Sequence, residues 1–142
     1  MSRVPEIDDD RVEAALAAAR EARSKAHAPY SCFAVGAAVL DDAGGLYRGC
    51  NVESASFGLT LCAERAALAA WVVGRDEGAR VELVTIRTGA SRPTPPCGAC
   101  RQWLVELAPD AVVVSESVDG EIARWTAREL LPDAFEGPEG GP

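Results

Sequence analysis

The sequence predicts an α/β fold in three layers, a mixed five-stranded sheet covered by helices on both faces. Three observations lead there. Short apolar runs of strand length alternate with Ala-rich segments of helical length, clusters of Gly, Pro, Asp and Ser separate them, and an Asp-Gly pair near the end joins the last two strands as an antiparallel hairpin. With 142 residues the chain is the usual size for one domain. Residues 1–136 are expected to form it, and 137–142, rich in Gly, Pro and Glu, to be a disordered tail.

Taken in order, Asp8 to Ala26 is rich in Ala, Glu and Arg, places Val12, Leu16 and Ala19 on one face and puts aspartates at its positive end, so it reads as an amphipathic helix stopped by Pro29. Phe33 to Leu40 and Leu46 to Asn51 are strands joined through a turn at Asp41–Gly45. Val52 to Thr60 has no clear period. Leu61 to Val73 is an apolar, Ala-rich run expected to be a buried helix ending at Gly74. Val81 to Arg87 is a strand, Thr88 to Pro96 a loop, and Cys97 to Leu107 a helix. Strands at Ala111–Ser115 and Ile122–Trp125 flank the turn at Asp119–Gly120, and Thr126 to Phe135 holds a short helix and a turn. The loops before the second and third helices are expected to meet at one edge of the sheet, where the chemistry-bearing residues cluster.

The charge balance excludes some functions. With 22 acidic against 14 basic residues the net charge is -8, the wrong sign for a surface that neutralises phosphates, so a nucleic-acid polymer is not expected as partner. Residues 1–10 carry three aspartates and no apolar core of a signal segment, and no window approaches the length of a spanning helix; a cytoplasmic protein without membrane association is expected. Five cysteines, two of them in a Cys-x-x-Cys, fit metal or redox chemistry better than a disulfide framework.

The informative segments are Cys62-Ala63-Glu64-Arg65 and Pro96-Cys97-Gly98-Ala99-Cys100, each at the predicted start of a helix. Unpaired N–H groups and the positive end of the dipole stabilise thiolates there, so Cys62, Cys97 and Cys100 are candidate ligands of one zinc ion per chain. Three protein ligands leave the fourth tetrahedral position open, the arrangement of a catalytic zinc, and Glu64 is placed to move protons without joining the metal. A carboxylate close to the first ligand followed by Pro-Cys-x-x-Cys is the known pattern of zinc-dependent base deaminases. Arg65, three residues beyond Cys62 on the same helical face, can donate to sulfur and offset the charge of three thiolates. A Cys-x-x-Cys alone would equally suit a redox centre, whereas Cys32 and Cys50 have no such companions and read as structural.

In these residues the sequence resembles the short, homotetrameric class of zinc-dependent cytidine deaminases. The likeness is carried by Ala28-Pro29-Tyr30-Ser31 with Phe33, Val35 and Gly36, by Gly49 to Glu53, by Cys62 to Arg65, by Pro96 to Gln102, and by Glu129 to Pro132 with Phe135. The resemblance implies a cytidine deaminase-like fold and hydrolysis of cytidine and 2′-deoxycytidine to uridine and 2′-deoxyuridine with loss of ammonia, in pyrimidine salvage. It also implies that Asn51 and Glu53 hold the ribose hydroxyls, that Phe33 packs on the pyrimidine, that the Ala63 backbone contacts the base, and that Phe135 enters a neighbouring chain's pocket. Glu64 would carry a proton to N3 as water attacks C4, and then to the departing ammonia.

Some positions depart from the family pattern: Ser54 stands where an Asn is common and Phe57 where a Tyr is. The lone His27 lies upstream of the zinc segments, away from the position of the His ligand found in nucleotide and nucleic-acid deaminases. A deaminase of a modified cytosine nucleoside such as blasticidin S shares the three-cysteine pattern, although Glu53 favours a ribose. A structural zinc module would need a fourth protein ligand, for which Cys50 or His27 is the candidate.

Overall fold

The computed structural model describes residues 3–139, so residues 140–142 of the expected tail lie outside the described residues. The elements are α1 (Asp9–Arg23), β1 (Gly36–Asp41), β2 (Leu46–Cys50), α2 (Ala63–Gly74), β3 (Val81–Arg87), α3 (Gly98–Leu107), β4 (Val112–Glu116), β5 (Ile122–Thr126) and α4 (Ala127–Leu130). The five strands form one sheet in the order β2-β1-β3-β4-β5, with β3 and β4 parallel and all other pairs antiparallel, which is the mixed sheet that the sequence predicts.

Alternating side chains of the central strands build two apolar layers. Leu40, Leu83, Val112 and Val114 pack with Val12, Ala15 and Leu16 of α1 on one face. Ala37, Val39, Val84, Ile86 and Val113 pack with α2, α3 and α4 on the other. This is why β1 and β4 are buried along their whole length. Two glycines let helices approach the strands at backbone distance: a Cβ at Gly36 would lie 1.9 Å from the Ala19 carbonyl oxygen of α1, and one at Gly49 would lie 2.4 Å from the Ala67 nitrogen of α2. The sheet thus fixes both helices tightly, and α2 carries its first turn to the functional site.

Two boundaries and one burial pattern differ from expectation. Helix α1 ends at Arg23, six residues before Pro29. Its last turn tightens through bonds such as Ser24 N–H to the Glu21 carbonyl, and His27 then pairs with the segment after β2, donating to the Asn51 carbonyl at 3.0 Å and accepting from Glu53 N–H at 2.8 Å. Extended pairing, and not proline, ends the helix. Strand β1 starts at Gly36 and not at Phe33, because the Asn51 side chain takes the place of a ladder partner: its Oδ1 accepts from Val35 N–H at 2.9 Å and its Nδ2 donates to the Phe33 carbonyl at 2.8 Å. Helix α2 is not buried all round. Ala63, Glu64, Ala67, Leu68 and Trp71 face the core, whereas Val72 and Val73 are exposed.

Candidate metal centre

Two helix starts converge on one point. Cys62 is the N-cap of α2, Cys97 the N-cap of α3, and Cys100 lies in the first turn of α3. Neither capping cysteine bonds to a backbone N–H through its sulfur, so both sulfurs remain available. The Sγ atoms of Cys62 and Cys97 are 3.5 Å apart, and all three Sγ atoms lie within 4.8 Å of one another. Tetrahedral zinc with Zn–S bonds of about 2.3 Å needs sulfurs about 3.8 Å apart, so the donor set fits zinc in chemistry and in spacing. Among the described residues the group consists of these three. Cys50 bonds instead to the Lys25 carbonyl, and among the described residues the His27 ring nitrogens do not join the group. A fourth ligand from either residue, as a closed structural site would require, is not what the fold provides.

The meeting point differs from the sheet edge expected. It lies over the ends of the central strands: Val35 immediately before β1 and Thr88 immediately after β3 line a cavity together with Phe33, Asn51, Thr60, Cys62, Ala63, Glu64, Ile86, Thr94, Pro95 and Cys97. Because β1 and β3 are neighbours inside the sheet, the cavity rests on strands that are paired on both sides.

The electrostatics follow from burial and from the thiols themselves. The Cys62 thiol is lowered to about 5, first by the hydrogen bond from Cys100 and then, against burial, by Arg65. The Cys100 thiol is pushed up, first by the hydrogen bond it gives to Cys62, then by burial and by the nearby Glu64. The first negative charge therefore forms on Cys62, where Arg65 Nη2 donates to sulfur at 3.4 Å and to the Thr60 carbonyl at 3.3 Å. Glu64 is buried, with 5% of its surface exposed, and this burial raises its carboxyl above the usual range despite a hydrogen bond from its own backbone N–H. The site combines three clustered sulfurs with a carboxyl whose hold on a proton is strengthened by burial.

The other predicted residues are spread around this centre. Phe33, Asn51 and Ala63 line the cavity, with Ala63 fully buried and Phe33 on the rim. Glu53 does not line it; its carboxylate accepts from Tyr30 N–H at 2.9 Å, Ser31 N–H at 3.1 Å and the Ser31 hydroxyl. Phe135 lies outside its own chain's cavity, 70% exposed, with its carbonyl accepting from Gln102 at 2.8 Å. Cys32, read as structural, is exposed and in the left-handed region at φ 58°. Ser54 caps the following turn through Ser56 N–H, and Phe57 is exposed and packs edge-on against Tyr30.

Sequence reasoning passes over three contributors. Thr88 and Thr94 line the cavity and bond to each other at 3.2 Å, but threonines in a Ser/Thr/Pro loop carry no distinguishing pattern. Arg101, inside the Pro96–Gln102 block, holds the loop before Cys97: it donates to the Pro96 carbonyl at 2.7 Å and to the Leu130 carbonyl at 2.9 Å. Its place one helical turn after Cys97 is the signal that could have found it.

Comparison with known proteins agrees with this geometry. Residues 9–116 match the family model described as the cytidine and deoxycytidylate deaminase zinc-binding region. The cytidine deaminase of Halalkalibacterium halodurans is 48% identical over 117 residues, 81% of this chain and 86% of that one. The crystal structure of cytidine deaminase from Burkholderia pseudomallei superposes with a TM-score of 0.83 at 43% identity, covering 87% of this chain and 98% of the other. The enzyme of that name from Mycobacterium tuberculosis gives 0.74 at 37% identity, with 92% and 98% covered. On the strength of its fold, its three-sulfur centre and these matches, the chain belongs to the cytidine and deoxycytidylate deaminase zinc-binding family.

Proposed function

We propose that this protein is a zinc-dependent hydrolase that converts cytidine and 2′-deoxycytidine to uridine and 2′-deoxyuridine with release of ammonia, serving pyrimidine salvage in the cytoplasm. The observation that carries the reading is a buried carboxyl, Glu64, in the first turn of the helix whose cap is Cys62, in a cavity that also exposes Cys97 and an aromatic rim at Phe33. A zinc ion held by Cys62, Cys97 and Cys100 supplies Lewis acidity that activates water at neutral pH. Glu64 accepts one proton of the attacking water and delivers it to ring N3, then takes the second from the new C4 hydroxyl as the carbonyl forms and passes it to the departing amino group, a task suited to a carboxyl whose affinity for protons is raised by burial. Arg65 offsets the charge of the sulfurs through its bond to Cys62. Phe33 packs on the pyrimidine and the Ala63 backbone contacts it, while Asn51 keeps one N–H and one lone pair free for a sugar hydroxyl after serving Phe33 and Val35.

The active unit in this reading is a homotetramer in which Phe135 closes a neighbour's cavity. Its exposure away from its own cavity supports that role, as do the exposed Phe57, Leu59 and Val73, apolar surface of the kind that a second subunit covers. Nucleosides, and not nucleic-acid polymers, suit the net charge of -8. Among the described residues no helix is long and apolar enough to cross a membrane. A turnover panel of cytidine, 2′-deoxycytidine and blasticidin S tests the substrate: uridine and deoxyuridine are the expected products, and turnover confined to blasticidin S would overturn the assignment.

A further inference from the structure

The two residues assigned to the sugar are both tied to one short loop. Asn51 holds the Phe33 carbonyl and the Val35 N–H, and Glu53 holds the Tyr30 and Ser31 N–H groups. Between these anchors the chain passes through Cys32 at φ 58°, a left-handed conformation that a residue with a Cβ adopts only at some cost. The reversal there has one visible result. The Ser31 hydroxyl donates to Glu53 Oε2 while its oxygen accepts from Phe33 N–H at 3.0 Å. A hydroxyl has one proton and two lone pairs, so both bonds are satisfied at once, and the carboxylate is joined through one atom to the aromatic rim of the cavity.

We propose that Ser31 is a positioning residue that fixes the Glu53 carboxylate for the sugar and sets Phe33 in register with it, so that sugar recognition and base packing are one unit. The inference rests on the nucleoside reading above. An ionised carboxylate offers about four acceptor sites. Three are filled, two on Oε1 by backbone N–H groups and one on Oε2 by Ser31, which leaves one on Oε2 for a single donor. The same bonds, the Ser31 hydroxyl foremost, hold the Glu53 carboxyl below the usual range, so it stays an acceptor throughout neutral pH. A ligand hydroxyl must therefore donate to Glu53, and a nucleoside without that hydroxyl leaves the site unfilled. Without the Ser31 hydroxyl, Oε2 loses its orienting bond and the Phe33 N–H loses its acceptor.

The test compares cytidine with 2′,3′-dideoxycytidine in the wild type, Ser31→Ala, Ser31→Thr and Glu53→Ala. Ser31→Ala should lower kcat/KM for cytidine about tenfold, mainly through KM, and for the dideoxy substrate only about threefold, because the loosened Phe33 affects the base of both whereas the lost Glu53 bond acts only through the hydroxylated sugar. Ser31→Thr should restore most of the preference, and Glu53→Ala should weaken it further than Ser31→Ala does, leaving what Asn51 supplies. Equal losses on both substrates, or no loss on cytidine, would overturn the positioning role while leaving the nucleoside reading intact. A wild type that does not distinguish the two nucleosides, or a Glu53→Ala variant that keeps the full wild-type preference, would overturn the sugar reading and the proposal with it.

Discussion

Substituting Gly49 by alanine tests how the sheet places α2, the helix that begins at the sulfur centre. Gly49 lies on β2 directly beneath the first turns of α2, and its added Cβ would stand 2.4 Å from the Ala67 nitrogen, 2.5 Å from the Ala63 oxygen and 2.9 Å from the Ala66 carbonyl carbon. All three are backbone atoms of the helix that carries Glu64 and is capped by Cys62, so no side chain can swing aside. Ordinary contact begins near 3.4 Å, which requires α2 and β2 to separate by about 1 Å. Overpacking of this kind costs about 1–3 kcal/mol, a fall in Tm of roughly 3–10 °C for a chain of this size. A displacement of about 1 Å at a reacting group costs on the order of a hundredfold in rate. Melting curves and steady-state turnover of cytidine should show both losses together, with reduced zinc retention because Cys62 moves with the helix while Cys97 and Cys100 do not. Gly58→Ala, where a Cβ meets nothing within 4 Å, is the control and should match the wild type. A Gly49→Ala protein with wild-type melting temperature and turnover would refute the claim that backbone contact between β2 and α2 sets the site.

Other perturbations probe separate parts of the account. Removing the guanidinium with Arg65→Ala takes away one of the groups that lower the Cys62 thiol, so protons compete better with the metal and zinc should be lost at a higher pH than in the wild type; chelator competition across pH measures this, and an unshifted profile would contradict it. Glu116 is buried and held below the usual carboxylate range, first by its hydrogen bond from Arg20 and then by Arg87. A folded carboxyl with a depressed pKa stabilises above its unfolded value near 4.3 and loses that contribution as pH falls through the folded value. Glu116→Gln should therefore lower stability by up to about 3 kcal/mol at neutral pH and flatten the acid limb of the melting profile; an unchanged acid limb would count against this. Truncation after Pro132 should raise KM while zinc stays bound, and mixing truncated chains with Glu64→Ala chains should give activity that depends on composition. A fully active monomer by sedimentation would rule out the shared site.

Much of this was legible from residue pattern because the signals were local. Helix caps, the Asp-Gly hairpin and the two cysteine segments each sit within a few residues, and each fixes a backbone geometry that tertiary packing then leaves alone. What could not be read depended on partners distant in the chain. The early end of α1 needs His27 to meet Asn51 and Glu53, and the late start of β1 needs the Asn51 amide to satisfy Phe33 and Val35, contacts across 16 or more residues. The amphipathic burial of α2 was hidden because apolar Ala69, Ala70, Val72 and Val73 occupy its exposed face while Ala, Leu and Trp fill its core face, so no polar stripe marks the outside. The placement of the centre above β1 and β3, and not at an edge, follows from the parallel β3–β4 crossover, which brings α3 back over the middle of the sheet. The link from Ser31 to Glu53 joins loops 22 residues apart and leaves no mark in either one.

The central claim, that three sulfurs and Glu64 form one hydrolytic centre, is tested most directly by ammonia release from cytidine before and after zinc is stripped with a chelator and then restored, run in parallel on Glu64→Gln. The account predicts loss of release on stripping, recovery on adding zinc, and a Glu64→Gln protein that keeps its zinc and fold yet turns over about a hundred- to ten-thousandfold more slowly. Release that survives complete removal of the metal, or a zinc-loaded Glu64→Gln protein with wild-type turnover, would contradict it.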